Sequence, residues 1–150
     1  MRYTLIILSL LLSFATEVSA QRVRIGERIP DIEVQSEYGP KLEYIENDYT
    51  CLVFINSHSA PCIEALKHIN SDILYDTDIV LVTKEKPENH SEIVKRLGTD
   101  QYTIAYDVEG KTYRSFGVNY VPFSVIYSTK RKRVESFGSV EYLCNGSYCE

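Results

Sequence analysis

Cys62 ends the run Ser57-His58-Ser59-Ala60-Pro61-Cys62, and Cys51, Cys144 and Cys149 complete the thiols of the chain. A thiol in the first turn of a helix is easier to ionise, because exposed backbone N–H groups and the helix dipole favour the thiolate. Cys62 therefore reads as a reactive single thiol, as a quiet structural thiol, or as half of a disulfide. Ser59 reads as a helix N-cap, or as a hydroxyl that His58 could activate; His58 could equally serve Cys62, and its plain reading is a surface histidine. Nothing in the sequence places an acid behind His58, so a hydrolase triad has no support. The histidines at 58, 68 and 90 are scattered, and His58 with Cys62 makes a two-ligand fragment. No metal and no cofactor are expected.

Cys51 opens an apolar run and reads as a core thiol. Cys144 and Cys149 enclose Asn145-Gly146-Ser147-Tyr148, and Asn-Gly is a strong turn former that can bring the two together. A bond needs Cα atoms within about 7 Å. Closing so short a loop restricts the unfolded chain by about 2 kcal/mol. The pair is expected to be a structural disulfide of the C-terminal tail. The sharper reading is a redox pair that passes electrons to Cys62, which requires the tail to reach it.

The elements that must position these residues follow from hydrophobic pattern. Cys51 to Ile55 is continuously apolar, as a strand covered on both faces must be. The chain turns polar from Asn56 to Ser59 and enters a helix, with Ser59 as N-cap, Pro61 in the first turn, and Ile63, Leu66 and Ile69 at helical spacing. Asp78 to Thr83 is a second buried strand, and the helix between is long enough for a parallel crossover. Ser91 caps a second helix that ends near Gly98. Tyr102 to Tyr106 is a modest strand, Thr112 to Phe116 a short helix, and Phe123–Tyr127 with Arg133–Phe137 a strand pair. Upstream, a short strand is expected near Ile32 to Val34, and a strand or helical turn over Leu42 to Ile45. The pattern predicts a mixed sheet, parallel in the middle, with helices on its faces.

The first twenty residues read as a cleaved signal peptide. Arg2 is the positive start, Leu5 to Leu12 the apolar run, and Val18-Ser19-Ala20 the cleavage site, with Gln21 first in the mature chain. Tyr3 to Ala15 is too short to span a membrane, where about 20 apolar residues are needed. No stable membrane insertion is expected after cleavage, and the protein is expected to be secreted, to a periplasmic or extracellular compartment where disulfides persist. Of the 150 residues about 130 remain, one domain with its tail over 21–150. The formal charge of −5 argues against a nucleic-acid partner. The basic run Lys130-Arg131-Lys132-Arg133 reads as a solvated hairpin turn.

Four stretches resemble the thioredoxin superfamily, and more closely its exported thiol–disulfide reductases and redoxins. Ile25-Gly26-Glu27-Arg28-Ile29-Pro30-Asp31 resembles the entry segment, and Leu52 to Cys62 the strand, loop and active-site helix start. Phe116-Gly117-Val118 with Val121-Pro122 resembles the segment that holds the cis-proline, and Phe123 to Gly138 the closing hairpin. The resemblance implies a thioredoxin-like α/β three-layer sandwich, a central mixed β-sheet flanked by helices. It also implies a cis bond before Pro122, which would face the Ser59–Cys62 loop and present the Val121 backbone to a protein or peptide substrate carrying cysteine. The family attacks disulfides with the first thiol of Cys-x-x-Cys and resolves the mixed disulfide with the second. By position, the attacking place falls on Ser59 and the resolving place on Cys62. A serine hydroxyl forms no S–S bond, so little dithiol turnover is expected. Two readings stand: a thiol–disulfide protein acting weakly or through Cys62 alone, and a non-catalytic binding module on the same fold. Peroxide reduction fits less well, since the peroxidase pattern resembles a Pro and Thr ahead of the cysteine.

Overall fold

β2 (Tyr49–Phe54) is buried from Thr50 onward, so its side chains need cover on both faces of the sheet. The computed structural model describes residues 23–69 and 76–140. The expected signal peptide, residues 1–20, and the expected Cys144–Cys149 disulfide lie outside the described residues. β2 is flanked by β3 (Thr77–Thr83), parallel to it, and by β5 (Phe123–Ser128), antiparallel. β4 (Thr103–Tyr106) runs parallel to β3, and the short β1 (Ser36–Tyr38) and β6 (Val134–Ser139) close the two edges antiparallel, giving the order β1-β4-β3-β2-β5-β6. The central, parallel placement of the Cys51 and Asp78 strands is as their composition requires.

Alternation along the strands divides the core. Cys51, Val53 and Ile55 face Cys62 and Leu66 of α1 (Ala60–His68) and Ile93 and Leu97 of α2 (His90–Leu97). Leu52 and Phe54 point the other way, onto Tyr113 of α3 (Lys111–Ser115), onto Phe116 and onto Val23 near the start of the described chain. Helices on both faces of one sheet make the three-layer sandwich. Gly98 ends α2 with φ 71°, where a side chain would be strained. The basic run forms the turn between β5 and β6 as expected: Lys130 pairs with Asp48, Arg131 with Glu135, and Arg133 donates to the Gly26 carbonyl.

Two local expectations are corrected, and a third, Ser59 as N-cap, holds in position without its side-chain bond. The first strand is Ser36–Tyr38, not Ile32–Val34, because the Glu33 backbone is satisfied elsewhere. The Thr112 hydroxyl accepts the Glu33 N–H at 2.9 Å and donates to the Glu33 carbonyl at 2.8 Å, leaving no ladder to form there. Ser91 is not the cap of α2. A 3₁₀ turn over Pro87–Asn89 runs into the helix, which puts Asn89 at the cap and Ser91 inside the first turn. Ser59 stands at the N-cap of α1 with extended backbone, but its side chain makes no capping bond. Part of the reason is Pro61, which removes one of the two N–H groups a cap oxygen could bind. The alternative at residues 42–45 settles as a 3₁₀ turn, Leu42–Tyr44.

Candidate functional site

The register brings three loops to one end of the sheet. Phe54 pairs with Val82 on one side and with Phe123 on the other, so the segments after β2, after β3 and before β5 leave the sheet together. Between them lies an open groove of about 320 Å³, lined by Asn56, Glu85, Tyr113, Val118, Tyr120 and Val121 among others. The Val121–Pro122 peptide is cis, as the resemblance implied. Val121 lines the groove and also packs against the apolar clusters of both faces.

Cys62 does not line this groove and has no exposed surface. Its Sγ accepts the backbone N–H of Asn56 at 3.5 Å, which ties α1 to the loop before it. Ser59 is half-buried at the loop's end, and its N–H donates to the Asn56 carbonyl at 3.0 Å. Cys51 is equally enclosed, on the central strand, and burial pushes its thiol up to about 12. It is a core thiol with no route to a substrate.

His58 has a partner that the sequence did not point to. Its Nδ1 stands 3.3 Å from the Glu85 carboxylate, while its backbone N–H donates to the Asn56 side chain at 2.9 Å. The absence of an acid behind His58 is thus corrected. The constellation is still no hydrolase triad, because Glu85 spends its oxygens on the loop. Glu85 accepts the Ser57 hydroxyl at 2.6 Å, the Ser57 N–H at 2.9 Å and the Thr83 hydroxyl at 3.0 Å, and Arg96 approaches to 3.9 Å. Burial alone would raise this carboxyl. The Ser57 hydroxyl and N–H, the Thr83 hydroxyl and the His58 charge outweigh it and hold the group below its ordinary 4.5.

Glu85 is therefore the anchor of the Asn56–Ser59 loop, and its loss has a defined signature. A carboxyl held low in the fold stabilises it above the unfolded value, and that contribution disappears as pH falls through the folded value. Glu85→Gln should cost about 1–2 kcal/mol at pH 7, the worth of charge-assisted bonds to a partly buried acceptor. The variant should also lose less stability than wild type on acidification from about pH 5 to pH 3. Urea unfolding across that range reads both. Equal acid sensitivity in the two proteins would remove Glu85 from this role.

Beneath the groove, the Tyr113 hydroxyl shares its hydrogen between the Ile55 carbonyl at 2.8 Å and the Val82 carbonyl at 2.9 Å. It bridges the ends of β2 and β3. Burial raises this phenol far above its ordinary value, so it stays a neutral donor. Lys84 lies over its ring at 4.7 Å. Asp107, fully buried, accepts the Tyr113 N–H through Oδ2 at 2.9 Å and so fixes the start of α3, while its Oδ1 has no hydrogen-bond partner. Glu85, Tyr113 and Asp107 were missed from sequence because each acts through a fold contact, with no motif spacing to mark it. Among the described residues no group of three or more His, Cys, Asp or Glu side chains is placed to hold a metal ion.

Comparison of the sequence finds no matching family model and no matching curated protein. Solved structures do match. A Chlorobium tepidum protein assigned as the thiol:disulfide interchange protein DsbE is 21% identical, with a TM-score of 0.65 over 78% of this chain and 86% of that one. A thioredoxin-like protein solved in its oxidised form is 16% identical, with a TM-score of 0.63 over 82% and 95%. AhpC from Enterococcus faecalis is 18% identical, with a TM-score of 0.63 over 78% and 81%. At such identities the likeness speaks for architecture alone. With the sheet order, the two helical layers and the cis Val121–Pro122 peptide, it establishes that this chain has a thioredoxin-like fold.

Proposed function

We propose that this chain is an exported protein, periplasmic or extracellular, that holds a polypeptide segment in the groove beside Val121 and Pro122. Its redox chemistry is confined to the single thiol of Cys62. The reading is supported above all by one pairing: serine in the family's attacking position, and behind it a cysteine with no exposed surface. A hydroxyl cannot begin disulfide exchange, and an enclosed thiol resolves bonds better than it starts them. The groove suits an extended chain. It offers the apolar surfaces of Val118 and Val121, the ring of Tyr120, and polar groups of Asn56 and Glu85. The burial of Cys62 also favours the second reading, a binding module with no thiol chemistry.

One titration separates the two. An unfolded polypeptide whose lone cysteine carries a thionitrobenzoate disulfide is added to the isotope-labelled protein. Amide shifts are expected at residues 56–59, at Glu85 and at 118–121. Slow release of thionitrobenzoate, lost in Cys62→Ser, is expected alongside. The same shifts without release would leave the non-catalytic reading. Shifts confined to other surfaces would reject the groove for both.

A further inference from the structure

We propose that the groove beside Val121 and Pro122 selects a polypeptide segment carrying an acidic residue, and that Lys84, with Arg114 next to it, receives that residue's carboxylate. This gives the partner of the binding reading its chemistry, and it rests on that reading. Lys84 and Glu85 are the charged residues that line the groove. They follow one another beyond the end of β3, so alternation sends them to opposite sides. Glu85 turns to the Asn56–Ser59 loop, where it accepts bonds from Ser57 and Thr83 and meets His58. Lys84 turns to α3, and its Nζ lies over the Tyr113 ring at 4.7 Å. The carboxylate of the groove is spent on the fold; the ammonium is not.

Held this way, Lys84 is set to meet an anion. A cation over an aromatic face is attracted by the ring and keeps its N–H donors for other partners. Among the described residues neither Lys84 nor Arg114 forms an ion pair. Arg114 Nη1 donates to the backbone carbonyl of Glu109 at 2.8 Å, and the Glu109 carboxylate pairs with Lys111. Asp107 also bears on Tyr113, but it is fully buried, holds the Tyr113 N–H through Oδ2, and makes no ion pair with either cation. The two cations converge at Gly110, where a Cβ would stand 3.3 Å from Arg114 Nη1 and 3.3 Å from Lys84 Cδ. With φ 66°, Gly110 permits the turn and leaves room for both side chains. Both are exposed, and Lys84 is the one that lines the groove, so a bound carboxylate meets it first.

The rest of the groove is apolar or neutral on this side. Val118 and Val121 line it, and Tyr120 is 55% exposed with its ring edge-on to Phe123 at 5.3 Å. An extended segment with an apolar residue on these surfaces and an acidic neighbour directed at Lys84 uses both features. The formal charge of −5 works against acidic partners in general. A preference for one must therefore be made locally, by these two cations.

The experiment titrates the isotope-labelled chain from residue 21 onward with three short peptides. They share an apolar centre and are flanked on both sides by Glu, by Gln or by Lys. Amide shifts at residues 118–121 report groove binding, and their titration curves give Kd. The Glu peptide is expected to bind at least about three-fold tighter than the Gln peptide at low salt, within the range of exposed charge pairs. The Lys peptide is expected to bind most weakly. The preference should fade in about 1 M salt, where the screening length is about 3 Å. Lys84→Met should bind the Glu and Gln peptides alike, and Lys84→Glu should favour the Lys peptide, with circular dichroism confirming both folds. Groove shifts with equal affinity for the Glu and Gln peptides would overturn the inference and leave the binding reading standing. Tightest binding of the Lys peptide by the unaltered chain would overturn it too. A preference for Glu that persists in Lys84→Met would place the acidic contact elsewhere and remove Lys84 from the role. No shifts at 118–121 with any peptide would reject the binding reading itself, and this inference with it.

Discussion

Replacing Ser59 by cysteine is expected to create dithiol activity that the natural chain lacks. The substitution is made where Cys144 and Cys149 are both serine, so that positions 59 and 62 carry the only vicinal pair. Ser59 stands at the N-cap of α1 in extended backbone, and its hydroxyl makes no capping bond that a thiol would forfeit. The first turn of α1 directs unpaired N–H groups at that position, which lowers the pKa of a thiol placed there. Cys62 already has the enclosed setting of a resolving thiol, with Asn56 N–H donating to its sulfur. Insulin reduction by the variant should exceed that of its Ser59 parent by at least about ten-fold. A variant that folds and oxidises at this pair, yet gains nothing, would show that the groove no longer presents a substrate disulfide to position 59.

The second large effect is on stability. Phe54→Ala should cost about 3–5 kcal/mol, the range for deleting a buried aromatic ring. Phe54 has no exposed surface and closes the far face of the sheet beneath the groove. Its ring lies 4.9 Å from that of Tyr113, 5.5 Å from Phe116 and 6.3 Å from Phe123. All three belong to elements that build the site, so the cavity cannot collapse without moving them. Denaturant unfolding reads the loss. A cost under about 1 kcal/mol would mean that this aromatic cluster is not tightly packed.

The central strands were legible because burial leaves a plain mark: an unbroken apolar run from Cys51 to Ile55, bounded by polar residues, suits a short strand covered on both faces. The loop–helix junction at Ser59 to Cys62 was legible in the same way, through its turn into helical spacing. The β1 edge was not, because Ile32 and Val34 alternate like a strand while Thr112, far along the chain, takes the Glu33 backbone bonds. Nor was the environment of His58. Glu85 lies in a charged connection of no marked pattern, and only the parallel pairing of β2 with β3 carries it under the Asn56–Ser59 loop. Periodicity reports which face a residue takes; it does not report which distant polar group will meet it there. The place of Ser59 and Cys62 at the loop–helix junction was therefore readable from sequence, and the carboxylate and phenol that bond to Ser57 and to the ends of β2 and β3 were not.

The most direct test of the account is insulin reduction by the otherwise unaltered chain from residue 21 onward, with dithiothreitol as the electron source and Cys62→Ser beside it. Both proteins are expected to turn over insulin at the uncatalysed rate, within about two-fold, because the attacking position holds a hydroxyl and the remaining thiol is enclosed. Robust turnover by the unaltered chain would contradict this. If that turnover disappeared in Cys62→Ser, Cys62 would be an active redox thiol and the groove would have to open to expose it; if it survived, the redox centre would lie elsewhere in the chain.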